Sequence, residues 1–306
     1  MKRSDHPLRN ARARAMIRAA AIFGLAGGCA AIALAASNRV NITRQGDTLV
    51  IQSNGIADHA VGQFPNRSNP NAISEQDYTF VIDATPSKAR QVTAVERSAF
   101  GVALNGVPFD PNAAEWWQRD RNSGWSYDPF AVSGQLGMDS SNAHVQPNGA
   151  YHYHGLPTGL LGAGSDSRHS ALIGFAADGF PIYAQYGLTD GQIAEQRSSY
   201  QLRSGTRPSG PGGGYDGTFV EDYVYVAGAG DLDACNGKDT VTPEFPNGTY
   251  AYFLTDEFPY VPRCWVGTPS TQGFAKQGPG NARNNSARAH NANGFTPPPR
   301  PPKRKR

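Results

Sequence analysis

The chain has little charge, little cysteine and none of the compact motifs that mark many enzymes. Charged residues make up 17% of its 306 residues, while glycine (35) and proline (23) are abundant. That balance argues against long helices and for many turns and short strands. The glycine-rich stretch at 155–164 lacks the Gly-Lys-Ser/Thr ending of a phosphate-binding loop. No Gly-x-Ser-x-Gly elbow and no His-Glu-x-x-His helix is present. Cysteine occurs three times. One of these, Cys29, falls in an N-terminal apolar stretch, which leaves Cys235 and Cys264. In an exported chain that pair favours one disulfide over a Cys/His metal site.

The ends differ from the middle. Residues 1–18 carry six basic side chains and one acid, and 19–36 are uncharged and rich in Ala, Gly, Ile and Leu. Ala33-Leu34-Ala35 has the small-x-small form of a cleavage site, so 1–35 reads as a secretory signal peptide. The alternatives are a retained anchor of near-spanning length and a lipoprotein site at Cys29, to which Ala26-Gly27-Gly28 is a poor approach. Cleavage implies an exported protein, periplasmic or extracellular, without a membrane span. The leader's net charge is +5 and that of 276–306 is +8, which leaves 36–275 at −10 against +3 for the whole chain. An acidic body excludes nucleic acid as a primary partner. Residues 271–306 lack the apolar content for a core and read as a disordered basic, Pro/Asn-rich tail, able to hold an acidic envelope polymer through charge. The expected fold class is mainly β: a sandwich-like or irregular domain over 36–270 with hairpins, long Gly/Pro-rich loops and few short helices.

The centre of that domain is His144-Val-Gln-Pro-Asn-Gly-Ala-Tyr-His-Tyr-His154, which holds three of seven histidines. In a strand, His152 and His154 share one face and Tyr151 and Tyr153 the other. Pro147-Asn148-Gly149 is a turn signal: proline presets φ, asparagine tolerates the second position, and glycine supplies the left-handed third. A three-residue loop there sets His144 opposite His152, and three imidazoles converge. A two-residue loop at Asn148-Gly149 sets His144 opposite Tyr153, and the cluster breaks. Three imidazoles with an open position form a catalytic zinc arrangement, and copper and iron also accept imidazole.

Elsewhere, 38–52 reads as a hairpin, Tyr78–Asp83 and 99–104 as strands, and 171–176 with 180–184 as a second hairpin turned by Asp178-Gly179. Residues 190–197 read as a short helix with an Asp start, and 221–226 as a strand. The loop at 53–77 is long enough to be functional and contains His59. Trp116 and Trp125 lie in the densest aromatic segment, which is either a core under loops or a stacking wall for a ligand. Pro246-Asn-Gly-Thr-Tyr-Ala-Tyr-Phe253 repeats Pro147-Asn-Gly-Ala-Tyr-His-Tyr-His154 at an offset of 99 residues. In it Ala251 replaces His152, Phe253 replaces His154, and Pro243 falls at the position of His144. The turn and tyrosines are common scaffold, and the histidines are extra to the first copy. On the opposing reading His152 and His154 face solvent where Ala251 and Phe253 face a core.

The central stretch, with Ala171-Leu-Ile-Gly-Phe-Ala-Ala-Asp-Gly-Phe-Pro-Ile-Tyr183 and Leu232-Asp-Ala-Cys-Asn-Gly237, resembles the YHYH-domain family of exported proteins, over roughly 100–270 and back toward His59. The resemblance implies no activity, cofactor or catalytic residue. Three functions fit the residues. The first is binding of a transition metal (copper, zinc or iron) by His144, His152 and His154, completed by His169, His59 or Asp178. Such binding weakens as pH falls below the ordinary histidine pKa of about 6.5. The second is a hydrolase with His152 or His154 as general base beside Glu115 or Asp178. The third is an envelope polysaccharide- or protein-binding module that uses Trp116 and Trp125.

Overall fold

Alternating apolar residues and glycine-bearing turns produce most of the expected strands. The computed structural model describes residues 36–161 and 166–275. The predicted signal peptide and the residues past Ala275 lie outside the described residues. Val40–Gln45 and Thr48–Ser53 form the first hairpin, and Tyr78–Asp83 adds a third antiparallel strand. Ile51, Phe80 and Ile82 on its inner face join the main core. The domain runs past the expected limit at 270. Phe274 is buried with its ring 4.9 Å from Phe80, and its carbonyl accepts from the Ala99 amide at 2.9 Å.

Among the described residues the largest sheet has eight strands, in the order Gly237–Thr240, Thr249–Phe253, Pro181–Tyr183, Leu172–Ala176, Gly101–Ala103, Pro108–Phe109, Tyr151–Tyr153 and Ala143–Val145. Its pairings run antiparallel, parallel, antiparallel, antiparallel, antiparallel, parallel, antiparallel. That series reads the same from either edge. At the centre Val102 pairs with Phe175, Gly101 with Ala176, and Ala103 with Gly174. The two central glycines are equivalent, and each lets the strands close: a Cβ on Gly101 would lie 2.5 Å from the Phe175 carbonyl, and one on Gly174 would lie 2.4 Å from that of Val102. The short repeat read from the sequence is thus part of a twofold arrangement of the whole sheet.

Register assigns the equivalences. Tyr153 pairs with Ala143 and Phe109, and Tyr252 pairs with Gly237 and Ile182. His144 therefore corresponds to Lys238, not to Pro243. The constant offset fails because the second copy has a longer connection between its paired strands. The scaffold polar groups correspond too. Tyr151 donates to Asp139 at 2.6 Å and Tyr250 to Asp233 at 3.0 Å. Tyr153 accepts from Asn105 at 2.9 Å, and Tyr252 donates to Asp178 at 2.6 Å. Asn142 and Asn236 both take a left-handed φ, 54° and 57°. Hydrogen bonds to a charged partner contribute about 1.5–3 kcal/mol each, which applies to Asp139 and Asp233, so these tyrosines fix the strands against the loops as well as filling the core.

The helix expected at 190–197 is a hairpin, Tyr186–Thr189 with Gln192–Glu195. Asp190 and Gly191 both have positive φ, 52° and 78°, the two-residue turn for which Asp-Gly is suited. This hairpin covers the second half of the sheet, with Phe253 against Gly187 and Lys238 donating to Thr189 at 3.0 Å. Lys88–Ala94, exposed throughout, is a strand that sequence alternation does not reveal. It pairs with Cys264–Gly267. Cys264 is joined to Cys235 across 29 residues, a loop length for which chain entropy gives roughly 3 kcal/mol.

Burial raises the Asp178 carboxyl above its ordinary range, against the lowering effect of the bond from Tyr252. An acid with a raised folded-state pKa contributes its full stability below the unfolded pKa of about 3.9 and loses it as pH rises through the folded value. Asp178→Asn keeps an oxygen to accept from Tyr252 and from the Gly267 amide (2.6 and 2.9 Å). Urea unfolding will therefore show the variant gaining stability relative to the wild type as pH rises above about 4.

Candidate metal centre

The turn after Val145 decides the site. Gln146 and Ala150 close the loop by a 2.9 Å backbone bond, with Pro147, Asn148 and Gly149 between them and Gly149 at φ 83°. His144 then lies opposite His152. The Ser74 amide donates to the Gly149 carbonyl at 3.0 Å, which ties the long loop to the turn. Asn69 and Asn71 extend that tie, each donating a side-chain N–H to the Val145 carbonyl at 2.9 Å.

The rings of His144, His152 and His154 lie 4.6–4.9 Å apart, and one nitrogen from each falls within 4.8 Å of the others. His152 and His154 are 3% and 2% exposed, so they do not face solvent. The ring tautomers follow from what each nitrogen touches. A carbonyl only accepts, so His144 Nδ1, 3.1 Å from the Leu136 carbonyl, carries the proton. Asn69 supports this, since its amide donates to the Leu136 and Val145 carbonyls. His152 Nδ1 stands 3.3 Å from the Ala150 carbonyl in the same sense. In both neutral rings the lone pair is then on Nε2, the tautomer that a carbonyl at Nδ1 imposes on an imidazole.

His144 and His152 line a cleft of about 460 Å3 together with Asn69, Asp110, Glu115 and Arg121. The other candidates lie elsewhere. His59 sits on the tyrosine side of the hairpin: its Nδ1 donates to the Ala60 carbonyl at 2.8 Å, and its Nε2 accepts from Tyr153 at 2.7 Å. His169 packs edge-on to Tyr183 in the second half, with Nδ1 donating to the Ser170 carbonyl at 2.8 Å. Asp178 is held by Tyr252 and Gly267, as above. Trp125 is buried against Phe219, and Trp116 lies under Arg121 at 4.6 Å. Neither tryptophan lines the cleft. Sequence reasoning missed Asp110, whose amide donates to the Tyr153 carbonyl at 2.8 Å. The available signal was Asn105-Gly-Val-Pro-Phe-Asp110 beside Asp178-Gly-Phe-Pro-Ile-Tyr183, a second piece of the repeat.

Residues 79–267 match the model of the family described as YHYH protein, and the chain belongs to that family. No curated protein and no solved structure matches the chain.

The repeat supplies its own control for the turn. A Cβ on Gly149 would lie 2.0 Å from Ser74 Oγ and 2.9 Å from its Cβ, whereas one on Gly248 (φ 93°) would come no nearer than 3.8 Å to any neighbour. Gly248→Ala will cost about 1–2 kcal/mol for the left-handed backbone alone. Gly149→Ala will cost more in urea unfolding, and Ser74→Gly in that background will recover part of the difference, since the Ser74 backbone nitrogen still lies 3.1 Å from the new Cβ and the Ser74 hydroxyl bonds are lost.

Proposed function

We propose that this member of the YHYH family is an exported protein that binds one transition metal ion through Nε2 of His144 and His152 and one ring nitrogen of His154. The observation that carries the reading is the convergence of the three rings, with one nitrogen from each within 4.8 Å of the others. Three supports accompany it: two Nδ1 atoms committed to backbone carbonyls, the burial of His152 and His154, and a cleft on which two of the rings stand. A neutral imidazole triad suits zinc, copper or iron. The bound ion would act as a Lewis acid or redox centre toward a ligand entering by the cleft, while this chain's carbonyls hold the rings and its loop at 68–71 walls the approach. The basic-then-apolar leader and the Cys235–Cys264 bond support export, since disulfides persist in oxidising compartments.

Elemental analysis of protein purified from the periplasm without an affinity tag will find close to one equivalent of metal. The His152→Ala/His154→Ala variant will have lost it. Absence of metal from the wild type, even after reconstitution with zinc, copper and iron salts at neutral pH, would overturn the reading.

A further inference from the structure

The twofold relation of the sheet shows what the first half adds to the shared scaffold. Four equivalent positions on one face differ in kind: His144 against Lys238, His152 against Ala251, His154 against Phe253, and Asp110 against Tyr183. Three of the four differences make up the imidazole triad. The fourth introduces a carboxylate, and at these four positions the second half has a lysine and no acid. The tyrosines Tyr151/Tyr250 and Tyr153/Tyr252, by contrast, recur across the axis, each bonded to an Asp or Asn, although Asn105 donates where Asp178 accepts. Asp110 thus varies with the histidines and not with the fold.

Its placement agrees. Phe109 pairs in parallel with Tyr153, and the two rings, 5.5 Å apart, share the core side. Strand alternation puts Asp110 on the opposite side, that of His152 and His154. In the second half the equivalent pair, Tyr183 and Phe253, has ring centroids 6.0 Å apart. Asp110 is 3% exposed and lines the same cleft as His144 and His152. It is not in the group within coordinating reach, which consists of the three imidazoles. Neutral imidazoles supply no charge, so an ion bound by them alone would bring its full positive charge into a largely buried site. A carboxylate nearby offsets that charge, and the Coulomb gain grows with the charge of the ion.

We propose that Asp110 is the charge-compensating carboxylate of the triad, held outside the coordination group, and that it selects a doubly charged ion over a singly charged one. The inference rests on the metal-site reading above and narrows it: zinc, iron(II) or copper(II) is the resident class, and copper(I) is disfavoured. Glu115 lines the same cleft but is exposed, so solvent screens it and its effect is smaller.

The test is competition titration of the full exported chain with Zn2+ and with Ag+, a redox-inert stand-in for copper(I), against chromophoric chelators. Asp110→Asn preserves an oxygen that accepts from the Asn112 amide at 3.0 Å and removes the charge. It is expected to bind one Zn2+ with affinity lowered about 10- to 100-fold, and to lose half as much on a logarithmic scale for Ag+. Asp110→Glu, which keeps the charge, is expected to keep the wild-type Zn2+/Ag+ ratio. It carries the test should the asparagine variant fail to fold. Unchanged Zn2+ affinity in Asp110→Asn, equal losses for the two ions, or a collapsed ratio in Asp110→Glu would overturn the role of Asp110 while leaving the triad standing. Failure of the wild type to bind either ion would overturn the triad and this inference together.

Discussion

Everything at the candidate site depends on one register. Strand side chains alternate with a period of two, so a slip of one residue between Ala143–Val145 and Tyr151–Tyr153 would send His144 to the core side and divide the triad. The register is held at both ends. At the turn, Gly149 supplies a positive φ that other residues reach only with strain, and Ser74 fills the space a side chain would need. At the open end, the buried hydroxyls of Tyr151 and Tyr153 are bonded to Asp139, Asn105 and His59. The histidines are thus positioned by residues on the other face of their own hairpin.

The twofold sheet separates what folds the domain from what distinguishes its halves. Tyrosines bonded to Asp or Asn, left-handed asparagines before the outer strands and the close glycines at the axis recur in both halves. These satisfy buried polar groups and allow close strand approach, demands that any copy of this fold must meet. The histidines and Asp110 are not required by the shared scaffold, because Lys238, Ala251, Phe253 and Tyr183 occupy their places in the other half. Comparison within one chain therefore does here what an alignment usually does.

Much of this was legible in the sequence, for local reasons. Pro-Asn-Gly and Asp-Gly turns, alternation in 78–83 and 171–184, and the even cysteine pair are short-range signals, and each marks a feature that formed. What escaped was of two kinds. Residues 190–197 read as a helix because Asp190 suits a helix start, whereas the positive φ of Asp190 and Gly191 makes the pair the turn of a hairpin instead. Asp110 and Lys238 escaped because their relation to the histidines runs through parallel pairing and a longer connection, neither of which leaves a fixed offset along the chain. The exposed strand Lys88–Ala94 has no buried face to impose alternation, so no pattern announces it.

The hairpin that covers the second half has a consequence for stoichiometry. Phe253 lies beneath Gly187, where a Cβ would come within 2.7 Å of its ring, and Lys238 is bonded to Thr189. Histidines grafted at 238, 251 and 253 would lie against that hairpin, whereas His144 and His152 stand on a cleft. The symmetry of the sheet is therefore not carried to its surface: of two equivalent faces one presents histidines to a cleft and the other lies under a hairpin, so the single ion proposed above does not double with the scaffold.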